Sequence, residues 1–229
     1  KRSIVLDLKK PEAVEALLKL IATADVLIEG LRPGVTERMG VGPDASHAVN
    51  PRLIYGRMTG WGQTGPWSQM AGHDINYISM TGVLNAIGKD GEPPVPPLNM
   101  VGDFGGGSMF LVTGILAALL ERATTGKGTV VDAAIIDGTH SLMSFVHGMA
   151  GLGQWQAKRE GNLLDGAAPF YRCYTTADGK FMAVGCIEPQ FFAAMMERLP
   201  INAEAYGGQH DRSKWAAQHQ MLEAVFASK

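Results

Sequence analysis

Between Asp25 and Thr59 the chain reads DVLIEGLRPGVTERMGVGPDASHAVNPRLIYGRMT. Asp25 to Glu29 (D-V-L-I-E) is a short apolar run, with the length and composition of a buried strand. Pro43 to Val49 reads as a short helix whose proline sits in the first turn, where its missing N–H costs nothing, and Asn50-Pro51 closes it. Leu53 to Thr59 is the next strand. Upstream, Ser3 to Leu8 alternates as a strand does, and Pro11 opens a helix in which Val14, Leu17, Leu18 and Ile21 recur at helical spacing. Strand, helix, strand, helix, strand with short connections predicts an α/β fold: a parallel sheet covered by helices, Rossmann-like. Ligands of such sheets bind beyond the carboxyl ends of the strands. Arg32 and the loop that opens at Gly60 both follow such ends. Arg32 is either a solvated surface residue or a guanidinium for a phosphate or a purine face.

Gly60 to Pro66 (G-W-G-Q-T-G-P) satisfies G-x-G-x-x-G after a strand. A dinucleotide fingerprint must open a helix directly, and here Pro66 and Gly72 interrupt one. D-F-G at Asp103 to Gly105 lacks the companion motifs of a kinase. Two other stretches carry groups able to move protons near neutrality: A-G-H-D-I-N-Y (Ala71 to Tyr77) and N-M-V-G-D-F-G-G-G-S (Asn99 to Ser108). His73 and Asp103 each sit in a glycine-flanked loop. Between them lie a helix over Asn76 to Leu84 and a proline-rich strut, Gly88 to Pro97, that delivers Asn99 to Asp103. Gly105 to Gly107 then lead into a helix from Ser108 to Arg122, apolar nearly all round and therefore central. The three glycines let another molecule approach the backbone, and free N–H groups at the helix start face it.

A carbon acid beside a carbonyl needs a base on one face, a proton donor on the other and a donor for the enolate oxygen. His serves either role near neutral pH, while Asp needs burial to be a useful acid; an apolar helix behind Asp103 would supply it. The N–H groups of Asp103 to Gly106 would hold the enolate oxygen. The competing reading makes His73-Asp74 a surface turn and Asp103 a helix cap.

Further on, Thr129 to Ile136 is a buried strand and Asp137 an N-cap for a helix to about Leu152. Gly153 to Ala168 loses periodicity and reads as a linker. Tyr171 to Thr176 and Lys180 to Val184 form a hairpin around Asp178-Gly179, followed by helices over Phe191 to Leu199 and, capped by Asp211, Trp215 to Phe226. The expected organisation is a large α/β domain over 1–135, a linker helix and loop over 136–170, and a smaller α+β domain over 171–229.

Lys plus Arg number 20 and Asp plus Glu 22, a net charge of −2, which offers no electrostatic footprint for nucleic acid or an anionic membrane. The apolar run Met109 to Leu120 is shorter than the about 20 residues of a membrane span. Cys173 and Cys186 read as free thiols of a reducing cytosol, so a cytoplasmic protein is expected. A start at Lys1 and an end at Lys229, directly after an amphipathic stretch, read as a fragment missing both ends.

R-P-G-V-T-E-R-M-G (Arg32 to Gly40), G-W-G-Q-T-G-P, G-H-D-I-N-Y, V-G-D-F-G-G-G-S and T-G-K-G-T-V-V-D-A-A (Thr125 to Ala134) together resemble CoA-transferase family III over essentially the whole chain. Within it they resemble the bacterial-type racemases of 2-methylacyl-CoA thioesters. The resemblance implies a large and a small domain, an interlocked homodimer, an acyl-CoA substrate, and no metal or further cofactor. The family's first strand and helix and its returning C-terminal segment have no counterpart here. It places the catalytic histidine on His73, facing the (S) side, and the catalytic aspartate on Asp103, facing the (R) side. Glu188 matches the glutamate that supports the histidine of the partner chain. Arg32 matches a CoA-binding arginine, and Gly72, Asp74, Ile75, Asn76 and Tyr77 the substrate loop; Gly105 and Gly106 are expected close to the ligand from the glycine run itself. Met80, Met100, Met109 and Met143 are either an adaptable surface for the acyl chain or plain core. Two alternatives stand beside racemisation. In a CoA-transferase of the same family the aspartate attacks the thioester; His73, where those relatives carry a non-basic residue, favours the racemase. A binding protein without turnover is the other.

Overall fold

A computed structural model describes residues 2–229. The chain divides into two compact units, one made of the residues up to 84 together with 96–145, the other of 85–95 together with 146–229.

In the first unit, strands β1 (Val26–Glu29), β2 (Ile54–Thr59) and β3 (Val130–Ala134) form a parallel sheet in that spatial order. Val26 lies opposite Ile54 and Glu29 opposite Arg57; Tyr55 lies opposite Val130 and Thr59 opposite Ala134. Side chains of a strand alternate between faces, and β2 uses both. Leu53 and Tyr55 pack with Ile21 of α1 (Pro11–Ile21). Ile54 joins Leu111, Ile115 and Ala118 of α6 (Phe110–Thr125) on the opposite side. Gly56 leaves room there for Leu111 and Ile115, whose methyls lie 3.2 and 3.1 Å from where its Cβ would be. Two short helices, α2 (Val35–Arg38) and α3 (Pro43–Val49), bridge β1 to β2.

Several sequence expectations change. Ser3 to Leu8 forms no strand: it has no ladder partner among the described residues, and Val5 is 95% exposed. Alternation alone does not make a strand whose backbone groups have nothing to pair with. The helix expected from Asn76 begins earlier and is broken, giving α4 (Asp74–Met80) and α5 (Val83–Ala86), because Gly82 adopts a left-handed φ of +85°. Asp137 caps nothing; α7 (Ile135–Leu142) starts two residues before it, and Met143 separates α7 from α8 (Ser144–Gly151).

The largest change concerns the glycine run. Met100–Met109 is a π-helix that continues into α6, so Gly105 to Gly107 lie inside a helix, not ahead of one. A glycine-rich segment has little intrinsic helicity; packing explains why this one is helical. A side chain on Gly106 would collide with Thr139 and with the Ile135 carbonyl oxygen at 2.8 Å, and one on Gly138 would collide with the carbonyl of Gly106. Gly107 lies in the same way against Ile135 and the sulfur of Met58, each 2.9 Å from its missing Cβ. The wide helix and α7 thus touch backbone to backbone. The far end of α6 stops at Gly126, left-handed at φ +73°, whose N–H returns to the Arg122 carbonyl at 2.8 Å.

The 12-residue apolar run therefore belongs to a helix of 26 residues, Met100–Thr125, long and apolar enough by length and composition to cross a membrane. One face is core, through Leu111, Ile115 and Ala118; Val112, Leu116 and Leu120 on the rest of its surface are exposed. It is not apolar-buried all round as its sequence predicts.

In the second unit β4 (Tyr171–Thr175) and β5 (Phe181–Gly185) form an antiparallel hairpin, Tyr171 opposite Gly185, with Gly179 left-handed in the turn. Around it α9 (Pro189–Arg198), α10 (Ala203–Tyr206) and α11 (Trp215–Ala227) bury Phe170 with Trp215, and Tyr174 with Tyr206 and Leu222. Asp211 caps the short 3₁₀ turn Arg212–Lys214, which leads into α11. Arg159 donates to the carbonyls of Lys89 and Glu92, at 2.9 and 2.6 Å, and so holds part of the proline-rich loop.

Candidate active site

The loops beyond the carboxyl ends of β1 and β2 enclose a cavity of about 410 Å³, where a parallel sheet is expected to bind ligands. Under the first loop, Arg57 donates to Glu29 at 2.8 Å and to Glu37 at 2.8 Å. Burial works against its charge, but the two carboxylates outweigh burial and raise its pKa above the ordinary arginine value. The same bond to Arg57 holds Glu37 below the usual carboxylate range. The other oxygen of Glu29 accepts the Leu31 N–H at 2.7 Å, which fixes the backbone beside Arg32. Arg32 itself is exposed and lines the cavity.

The second loop is organised by Tyr77. Its ring occupies the space that side chains on Gly60 and Gly72 would take, its hydroxyl donates to the Gly72 carbonyl at 2.7 Å, and Trp61 meets it edge to face at 4.8 Å. Trp61 also lines the cavity, and its indole N–H is buried with no acceptor. Burial, and after it the charge of Asp103, push the Tyr77 phenol up from its ordinary pKa.

His73 is extended at the start of α4. Its N–H donates to the Asn76 side chain at 3.0 Å, and its exposed side chain lines the cavity. Asp103 is held in the wide helix from three sides. Its N–H donates to the Asp74 carboxylate at 2.8 Å, its carbonyl accepts from the Ser108 hydroxyl at 3.0 Å, and Asn99 reaches its carboxylate at 3.4 Å. A cavity of about 380 Å³ is lined by both His73 and Asp103, together with Gly72, Tyr77 and Asn99.

The structure thus brings His73, Asp103, Gly72 and Tyr77 to one place. Asn76 and Arg32 line the adjoining cavity. Asp74 turns its side chain inward, onto Asp103, and Ile75 is exposed on α4. Gly105 and Gly106 are packed toward Leu142 and Thr139 of α7. Their N–H groups belong to the helical ladder, and those of Asp103 and Phe104 are already donated, to Asp74 and to the Asn99 carbonyl, so the amides expected to hold an enolate oxygen are not available there. Glu188 is exposed at the start of α9 in the second unit.

A further cavity, of about 730 Å³ and not anticipated from the sequence, is lined by the segment from Leu6 to Pro11 and by Val14, Val35, Arg38 and Met39. Lys9, Lys10 and Arg38 bring three cations to it against one anion, Asp7. The Lys9-Lys10 doublet was the available signal. Among the described residues no group of three or more His, Cys, Asp or Glu side chains converges as metal ligands.

The sequence profile of CoA-transferase family III matches residues 1–229. Alpha-methylacyl-CoA racemases of Mus musculus and of Homo sapiens are each 46% identical over 229 residues, covering all of this chain and 60% of theirs. Among solved structures, a CAIB/BAIF family protein from Brucella suis superposes with a TM-score of 0.82 at 26% identity, over all of this chain and 61% of that one. The chain spans about three fifths of the length of these relatives.

Proposed function

The chain belongs to CoA-transferase family III, and from that premise we propose that it carries the acid–base site of a racemase acting on 2-methylacyl-CoA thioesters. The observation that carries the proposal is that His73 and Asp103 line one cavity. The likeness to the two racemases supports the choice of reaction.

One of the two groups removes the proton from C2, and the electrons of the C–H bond move onto the thioester oxygen as an enolate. The other group returns a proton to the opposite face of the planar carbon. His73 takes the (S) side and Asp103 the (R) side. With the amides of Asp103 and Phe104 engaged, the enolate oxygen is assigned to the first-turn amides of α4, at Asp74 and Ile75, which have no carbonyl within their own helix to bond. The nucleotide end of CoA, a polyanion, suits Lys9, Lys10, Arg38 and Arg32. CoA enters as part of the substrate, and the proton transfer draws on no further cofactor. The proposal extends to a homodimer in which Glu188 of one chain supports His73 of the other, and to a cytoplasmic setting consistent with the free thiols Cys173 and Cys186.

The test is C2 proton exchange in D₂O on each enantiomer of a 2-methylacyl-CoA, using the full-length protein. Deuterium entering from both enantiomers, with His73→Ala slowed about 10²- to 10⁴-fold, is the expected result. CoA passing to a free carboxylic acid without exchange would instead make Asp103 a nucleophile and the protein a transferase.

A further inference from the structure

We infer that Asp74 is a positioning residue, a strut that sets the separation of His73 and Asp103; the inference rests on the acid–base reading of that pair. Asp74 is only 6% exposed, so its side chain presents no face to a substrate. One carboxylate oxygen accepts the Asp103 N–H at 2.8 Å. The other is buried with no partner. A desolvated carboxylate with half of its acceptors empty is costly, and a fold that needed only an acceptor here would be served by a neutral amide. What the carboxylate adds is a charge-assisted bond, shorter and stronger than a neutral one.

The space for this bond is built in. A side chain on Gly102 would collide with the Asp74 carboxylate and lie 3.1 Å from Ile78. Asp74 is also the residue directly after His73, whose own N–H is fixed by Asn76 at 3.0 Å. One side chain therefore joins the backbone that carries the first proton-moving group to the backbone that carries the second. Among the described residues, this is the hydrogen bond that links α4 to the wide helix.

In the full-length protein, Asp74→Ala is expected to slow exchange of the enantiomer whose proton Asp103 removes by about 100-fold, the penalty for a displacement of roughly 1 Å. Exchange of the enantiomer served by His73 changes little, because His73 can remove and return a proton on its own face. Asp74→Asn keeps an acceptor oxygen and restores most of the lost ratio. KM is largely unchanged in both variants. Equal slowing of both enantiomers, or an Asn variant as skewed as the Ala variant, would overturn the strut. Amide hydrogen exchange decides it independently of turnover. The Asp103 N–H is expected to exchange faster in Asp74→Asn than in the wild type while the amides of α6 keep their protection, and unchanged protection at Asp103 would refute the inference. If the wild type shows no C2 exchange, the racemase reading fails, and the amide measurement still tells whether the strut exists.

Discussion

The surroundings of His73 and of Asp103 are both rich in glycine, and the glycines do different work. Beside His73, the space above Gly60 and Gly72 is filled by a side chain, the ring of Tyr77. Along the helix of Asp103, the space above Gly106 is taken by the Thr139 hydroxyl and by backbone, the Thr139 N–H and the Ile135 carbonyl, and the space above Gly138 by the carbonyl of Gly106. A side chain can be exchanged for a smaller one; a backbone that lies against another backbone cannot yield without moving a whole helix. The histidine side can yield by exchange of one side chain, whereas the aspartate side yields only if a helix shifts.

The hardest test of that contrast is Gly138→Ala. Its methyl enters the Gly106 carbonyl, and we expect a loss of about 3 kcal/mol, a fall of roughly 6–12 °C in melting temperature. A variant that melts with the wild type would show that the wide helix can retreat, and the contrast would collapse.

Gly72→Ala should cost less, about 1–2 kcal/mol, because its methyl meets Tyr77 ring atoms at 2.7 and 3.1 Å. Combining it with Tyr77→Leu should recover part of the loss, with a coupling of about 1 kcal/mol in a double-mutant cycle of unfolding free energies. Strict additivity would mean that the ring is not what occupies the space.

The smallest effect is electrostatic and joins the two sides. Burial, then the Asp103 charge, hold the Tyr77 phenol above its ordinary pKa. Asp103→Asn should therefore lower the Tyr77 value, as followed by NMR titration of ¹³C-labelled tyrosine. The sign for stability follows from the same shift. The folded value lies above the unfolded one, so the contribution is complete below about pH 10, the unfolded value, and is lost as pH rises through the folded value. A Tyr77 titration indifferent to Asp103→Asn would separate the two sides.

Much of the sheet was readable because its signals are local. The apolar run of β1, the proline at the start of α1 and of α3, and the Asp178-Gly179 turn each name their own structure. Three glycines in a row read as a loop ahead of the Ser108 helix, and contact with Gly138 and Thr139, some 30 residues away in sequence, explains why they are helical. Ser3 to Leu8 alternates correctly yet lacks a partner strand. His73 and Asp103 could be picked out by residue type and motif, and they do line one cavity. The inward turn of Asp74 and the ring of Tyr77 over two glycines depend on tertiary packing, which no window of sequence contains.

The continuity of Met100–Thr125 gives Asp103 the character of a group mounted on a beam. At the far end Arg122, with a side chain 12% exposed, bonds the carbonyls of Arg52 at 2.9 Å and Asp25 at 3.3 Å and the Asp25 carboxylate at 2.8 Å. The beam is thus anchored where the chain enters β1 and β2, at the amino ends of those strands, and close-packed interiors transmit displacement. Substitutions at its distal anchor therefore have leverage on the direction in which Asp103 points, from the end of the helix farthest from the cavity it lines.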